Sequence, residues 1–281
     1  MKLATFTEKS GGPARVGIVS KDGSRIAAID APDMITLIAS GKLPADPGGG
    51  VPLSSVRLLA PVPRPRKNVF CVGWNYVEHF EEGRAARPHV KEMPAFPTFF
   101  TKAPTAVNGP CDPIPWFGGI STTLDWEVEL GVIIGKGGRD ISEADAMQHV
   151  FGYTVINDVS WRDIQRRHGQ QWFKGKSFDG SCPMGPWIVT ADEIDHTNLR
   201  VECRVNGVVK QSATTAQMYF KLPRIIAELS LGLTLEPGDA IATGTPSGVG
   251  HSRTPPEFMK PGDVMETEIQ GIGVLRNTIA S

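Results

Sequence analysis

Three carboxylates draw notice by type and position: Glu127 and Glu129, two apart in the apolar run "TLDWEVELGVIIG", and Asp158, at the end of a second apolar run, "YTVIND". Side chains alternate faces along a strand, so Glu127 and Glu129 point the same way, about 7 Å apart, while Trp126, Val128 and Leu130 point the other way into packing. Two carboxylates repel in low dielectric, and a buried pair needs a cation or a shared proton. With Asp158 as a third donor, the set suits a hard divalent ion such as Mg²⁺, Mn²⁺ or Ca²⁺, with coordination positions left for water or substrate. Blander readings stay open. E-x-E commonly marks a solvent-facing strand surface, and Asp158 could cap the helix expected in "SWRDIQRRH". Asp125 shares the glutamates' face at strict alternation but is left out of the donor set.

A second constellation lies in "NYVEHFEEG". His79 and Glu82, three apart on a helix, share a face. A carboxylate that orients an imidazole and raises its basicity makes a base able to activate water; the plainer alternative is a surface pair. "WFKGKSFDG" carries Lys174 and Lys176, either of which could hold an anionic substrate oxygen or simply face solvent. In "ATGTPSGVG", backbone N–H groups and the hydroxyls of Thr243 and Thr245 could bind a carboxylate. That turn lacks the lysine of a P-loop and does not fit GxGxxG, which excludes nucleotide binding on this motif.

The elements that must position these residues are mostly strands. Short alternating runs at "KLATFT", "ARVGIVS" and "RIAAID" predict strands, with a turn at "KDGS". "APDMITLIASG" predicts a short helix closed near Gly41. A Pro- and Gly-rich stretch then leads to "VRLLAPVPRPRK", read as the join between a small N-terminal domain (residues 1–65) and a catalytic domain (66–281). Beyond it, "NVFCVGWNY", "PTFFTKAPTAV", "DWEVELGVIIG", "VFGYTVIND", "PWIVT" and "DAIATGTP" read as strands, and "LRVECRVNGVVKQSA" as a hairpin with an Asn-Gly turn. "GDVMETEIQGIGVLRNTI" reads as another hairpin. "VEHFEEGRAA", "SEADAMQHV" and "LPRIIAELSLGLTL" read as helices. The class is strand-dominated α+β.

The chain's 281 residues are enough for one large core or a main domain with an appendage. A net charge of −1 gives no sign of a nucleic-acid or membrane-surface partner. No apolar run approaches the roughly 20 residues that span a bilayer, and the N-terminus lacks a signal-peptide core, so the cytoplasm is the expected compartment. Cys71, Cys111, Cys182 and Cys203 are widely spaced and are expected as free thiols rather than a disulfide or zinc framework.

Taken in order, "VGWNYVEHFEE", "FPTFFTKAPTAV", "DWEVELGVIIG", "GYTVINDVSWRDIQ", "GKSFDGSCPMGPW", "VNGVVKQ" and "TGTPSGVG" resemble the fumarylacetoacetate hydrolase family over roughly residues 67–278. The resemblance implies a mixed β-roll catalytic domain of the family's C-terminal type, a small N-terminal domain and a homodimer. It implies one divalent ion, Mg²⁺ or Mn²⁺, held by Glu127, Glu129 and Asp158. His79 and Glu82 match the family's catalytic dyad on a lid segment, Lys176 a lysine near metal and substrate, and Gln165 and Thr245 substrate-contacting positions, with Arg162 in the same segment. Trp74 departs from the pattern, since relatives often have Arg or Leu there.

The implied chemistry is hydrolysis of a C–C bond in an acylpyruvate-type 2,4-dioxo acid such as fumarylpyruvate or fumarylacetoacetate, as in the breakdown of aromatic compounds. The dyad would activate water, and the metal would stabilise the enolate that departs. Decarboxylation of a 2-oxo acid, or isomerisation of 2-hydroxyhepta-2,4-diene-1,7-dioate, reaches similar enolates from the same residues. A different class is an inactive, metal-stabilised binding protein; retention of His79, Glu82 and Lys176 argues against it. Arg84, Arg87, His89 and Lys91, just past the dyad, are candidate partners for a second substrate carboxylate.

Overall fold

In the computed structural model, residues 1–84, 92–169 and 171–281 are described. A 12-stranded mixed sheet forms the body, and a four-stranded antiparallel sheet packs on it. In the smaller sheet, Val264–Ile269 joins the hairpins Arg200–Val205/Val208–Thr214 and Val264–Ile269/Gly273–Thr278. Asn206 and Gly207 take the left-handed backbone that a tight Asn-Gly turn requires, at φ 52° and 76°.

Strand Val128–Ile134 shows how the core is divided. Val128, Leu130, Val132 and Ile134 face the small sheet and pack in one cluster with Val201, Cys203, Met265 and Leu275. Ile133 faces the opposite side. There it joins Leu3, Val69, Ile156 and Ile188 beneath helix Met34–Ala39, whose Met34, Leu37 and Ile38 are buried. Glu129 lies on this second face, where the carboxylate cluster interrupts an otherwise apolar layer.

The first strand, Lys2–Glu8, pairs with Cys182–Thr190, so residues 2–58 extend the large sheet. Most expected elements are present, including helices Val77–Glu82, Arg162–Arg167 and Leu222–Ser230. Three differ. "DWEVELGVIIG" is not one strand: Leu124–Asp125 pairs separately with Ser160–Trp161, and the long strand starts at Val128. "SEADAMQHV" forms only a 3-10 turn, Ala146–His149, because Val150 already starts the next strand. Strand Cys182–Thr190 begins four residues before "PWIVT" and contains Pro183 and Pro186. Pro186 lies beside a register shift in which Tyr153 pairs Val189 but Val155 pairs Gly185, so its missing N–H falls where the ladder is already broken. Among the described residues no helix is long and apolar enough to cross a membrane.

Candidate active site

The antiparallel register brings the three carboxylates together. Val128 pairs with Asn157 and Glu129 with Ile156. The chain then continues so that the Asp158 N–H donates to the Glu127 carbonyl at 2.8 Å. One carboxylate oxygen from each of Glu127, Glu129 and Asp158 lies within 4.8 Å of the others, and all three residues are buried. The sequence's solvent-facing alternative for E-x-E is therefore excluded.

Buried cations surround the cluster. Lys176 Nζ, from the short helix Phe173–Lys176, donates to Glu127 Oε2 at 2.7 Å and Asp158 Oδ2 at 2.6 Å. Arg162 pairs with Glu127 Oε1 at 2.6 Å and with Asp125 Oδ2 at 2.7 Å. Burial alone would raise the Glu127 pKa, but Lys176 and Arg162 overcome this and hold it well below the usual carboxylate range. Glu129 is left with the Gly244 N–H at 2.7 Å. Burial, with Asp158 and Glu127 alongside, pushes its pKa well above the ordinary value.

These features fit a divalent cation. Four buried carboxylates (Asp125, Glu127, Glu129, Asp158) face three buried cations (Lys102, Arg162, Lys176), so all four can be ionised together only if a further cation joins them. Lys102 Nζ approaches Asp158 Oδ1 to 2.8 Å but off the hydrogen-bonding direction, donating instead to the Val159 carbonyl at 3.0 Å. Asp158 Oδ1 is thus buried without a hydrogen bond, an exposed lone pair inside an all-oxygen donor set. The cluster could hold one divalent ion.

Two of the three clustered carboxylates, Glu127 and Glu129, line a cavity of about 550 Å³ together with His79, Arg162, Gln165, Lys176 and Thr245, among others. His79 Nδ1 lies 2.7 Å from Glu82 Oε1, and Glu82 Oε2 accepts the Gly248 N–H at 2.8 Å, which anchors the dyad to the glycine-rich turn. The carboxylate on Nδ1 leaves Nε2 for the cavity. Gly244 sits at φ 99°, and a Cβ there would come within 2.5 Å of Asn75, so the turn that serves Glu129 requires glycine. Trp74 adopts φ 56°, unusual for a bulky residue, and its ring meets Trp172 edge-on at 4.9 Å on the apolar cavity wall.

Some expectations change in the structure. Thr243 directs its hydroxyl to the Leu130 carbonyl and is not among the residues lining this cavity; Thr245 does line it but donates to the Val128 carbonyl. Lys174 stands 5.7 Å over the Phe178 ring, away from the cluster. Asp158 is a member of the buried cluster, not a helix cap. Arg84 pairs with Glu81 at 3.1 Å; Arg87, His89 and Lys91 lie outside the described residues. Sequence reasoning missed Lys102, a lysine ending the apolar strand Thr98–Lys102, where a charge in an apolar run was the available signal. It also passed over Asp125, which accepts from Arg162, Trp126 N, Gly250 N and His251 N and so ties the Arg162 helix to the turn at Gly250. His251, 3.2 Å from Asp125 and on the cavity wall, had no sequence signal.

Comparison with known proteins agrees with this construction. The family model described as fumarylacetoacetate (FAA) hydrolase C-terminal matches residues 68–280. Oxaloacetate tautomerase YisK of Bacillus subtilis is 48% identical over 229 residues, 81% of this chain and 74% of that one. A fumarylacetoacetate hydrolase from Exiguobacterium antarcticum superposes with TM-score 0.88 at 41% identity, covering 100% of this chain and 99% of the other. A 2-hydroxyhepta-2,4-diene-1,7-dioate isomerase from Mycobacterium marinum superposes with TM-score 0.78 at 35% identity, covering 100% and 98%. The chain belongs to the fumarylacetoacetate hydrolase family.

Proposed function

We propose that this protein is a divalent-metal-dependent enzyme that moves a proton between carbon and oxygen beside the ketone of a 2-oxo acid, with keto–enol tautomerisation of oxaloacetate as the first candidate reaction. The observation that supports it most is that His79 of the dyad and Glu127 and Glu129 of the three-carboxylate cluster line one cavity. The 48% identity to an oxaloacetate tautomerase directs the choice among enolate chemistries.

Glu127, Glu129 and Asp158 would hold the ion, Mg²⁺ or Mn²⁺, whose charge would draw electrons from a bound 2-oxo group and ease enolisation. Glu82 would keep the Nδ1 proton of His79 in place, leaving Nε2 to take a proton from C3 of the substrate. The electron pair of the broken C–H bond would form the C2–C3 double bond, and the ketone π pair would move onto oxygen, which is then protonated. The reverse sequence converts enol to ketone, and no water is consumed. Lys176 and Arg162 would keep Glu127 ionised, while Gln165 and Thr245 would shape the substrate's end of the cavity. A homodimer and a reducing compartment such as the cytoplasm belong to the same reading, as does a small N-terminal domain of residues 1–65 that is packed on the catalytic domain rather than independent of it. The four cysteines, all unpaired, accord with that compartment.

The second reading is hydrolysis of an acylpyruvate, with His79 activating water. The cavity, about 550 Å³ within the roughly 300–1,000 Å³ usual for ligand pockets, has room for such a substrate. A turnover panel separates the two. With Mg²⁺ or Mn²⁺, the first reading expects accelerated decay of enol-oxaloacetate absorbance and slow or absent cleavage of fumarylpyruvate. Fast cleavage with no effect on the enol would establish the hydrolase instead.

A further inference from the structure

Helix Arg162–Arg167 carries a residue that the chemistry above does not use. Arg162, Gln165 and Arg166 stand at positions i, i+3 and i+4, hence on one helix face, and all three line the cavity. Arg162 is committed at the cluster end, to Asp125 and Glu127, and donates from Nη1 to Gln165 Oε1 at 3.1 Å. Arg166 comes one turn later, about 6 Å further along the helix axis at 1.5 Å per residue. Among the described residues no carboxylate pairs with it. Its neighbour Arg167 does not line the cavity.

The lining also holds four aromatic side chains, Trp74, Phe99, Phe100 and Trp172. Trp172 meets Trp74 and Phe100 edge-on at 4.9 and 5.2 Å. These rings carry no formal charge to balance a substrate carboxylate. Helix Arg162–Arg167 packs closely on the Phe173–Lys176 helix, since a Cβ on Gly175 would fall within 2.3 Å of the Gln165 nitrogen, so the backbone that carries Arg166 sits against the element that carries Lys176.

We propose that Arg166 determines substrate class: its guanidinium binds a second carboxylate, one short carbon chain away from the 2-oxo acid end, so that the cavity selects dicarboxylic over monocarboxylic 2-oxo acids. The inference rests on the 2-oxo acid reading of the cluster. Arg166 is itself solvent-exposed, and its planar fork of N–H donors suits a carboxylate bidentately.

Two measurements test it on the full-length, Mg²⁺-loaded protein. The first is solvent deuterium incorporation at C3 of oxaloacetate and of 2-oxobutanoate, which has a methyl in place of the distal carboxylate. Wild type favours the diacid, and in Arg166→Ala the diacid-to-monoacid ratio of kcat/KM falls at least about tenfold, mainly through KM, as expected on loss of one charge-assisted pair. Arg166→Lys recovers part of the ratio and Arg167→Ala leaves it at the wild-type value. An unchanged ratio in Arg166→Ala overturns the proposal. The second is calorimetric binding of malate and of 2-hydroxybutanoate, which requires no turnover. A preference for malate that Arg166→Ala abolishes supports the inference even if no proton exchange is catalysed, in which case the tautomerase reading alone fails. Catalysed exchange with equal binding of the two acids by wild type removes the inference and keeps the reading.

Discussion

Glu129 is the residue at which metal binding separates most cleanly from stability. Glu127 and Asp158 are tied to lysine or arginine, whereas the protein contact of the Glu129 carboxylate is the Gly244 N–H. Glu129→Gln therefore keeps the packing and removes one source of repulsion. Calorimetry should show Mn²⁺ affinity lost, while a urea melt of the metal-free protein shows stability equal to or above wild type. Asp158→Ala is a poorer probe, because it leaves Lys102 and Lys176 buried without that anion. For the same reason Lys102→Ala, at a position with no solvent exposure, should cost about 3–5 kcal/mol in a urea melt, the usual penalty for breaking a buried pair from one side. At this scale the sequence was legible where type and spacing coincided, as for Glu127, Glu129 and the His79–Glu82 pair. Lys102 and Asp125 were not, because what makes them part of the cluster is contact across 56 and 37 positions of chain, with Asp158 and Arg162 respectively.

Among the elements, the glycine-rich turn after strand Ala240–Ala242 does two jobs: Gly244 N–H serves Glu129 and Gly248 N–H serves Glu82. Gly244→Ala would have to hold φ 99° with a Cβ pressed on Asn75. A loss of about 1–3 kcal/mol in thermal or urea unfolding is expected, the range for a strained backbone position, together with weaker metal binding as the turn moves. The turn could be read from its glycines, but not its role, since backbone N–H groups are the same in every sequence. The bend that splits "DWEVELGVIIG" was equally hidden: alternation continues through Trp126 and Glu127, and only the pairing of Asp125 with Ser160 shows that the strand has changed partner.

At the scale of the molecule, the N-terminal strands are continuous with the large sheet. Leu3 shares a core with Val69, Ile133, Ile156 and Ile188, and Lys2–Glu8 covers the edge of Cys182–Thr190. The Pro-rich stretch near residue 60 suggested a join between domains, but composition cannot tell a linker from a crossing that stays packed; Ala60 and Val62 are buried. A chain starting at residue 66 should therefore melt at least about 5 °C lower than the full chain or aggregate through the uncovered strand, as light scattering would report. An unchanged melt would mark residues 1–65 as an independent unit.

If the carboxylate cluster and the His79–Glu82 dyad act together on a 2-oxo acid, turnover requires both. The decay of enol-oxaloacetate absorbance, followed with Mg²⁺ in wild type, Glu129→Gln and His79→Ala, tests it most directly. Catalysis is expected in wild type and is abolished by a chelator and by Glu129→Gln, with a fall in kcat of about 10²–10⁴ in His79→Ala, the usual contribution of a positioned base. Wild-type rates in either variant, or full activity in the presence of the chelator, would contradict it.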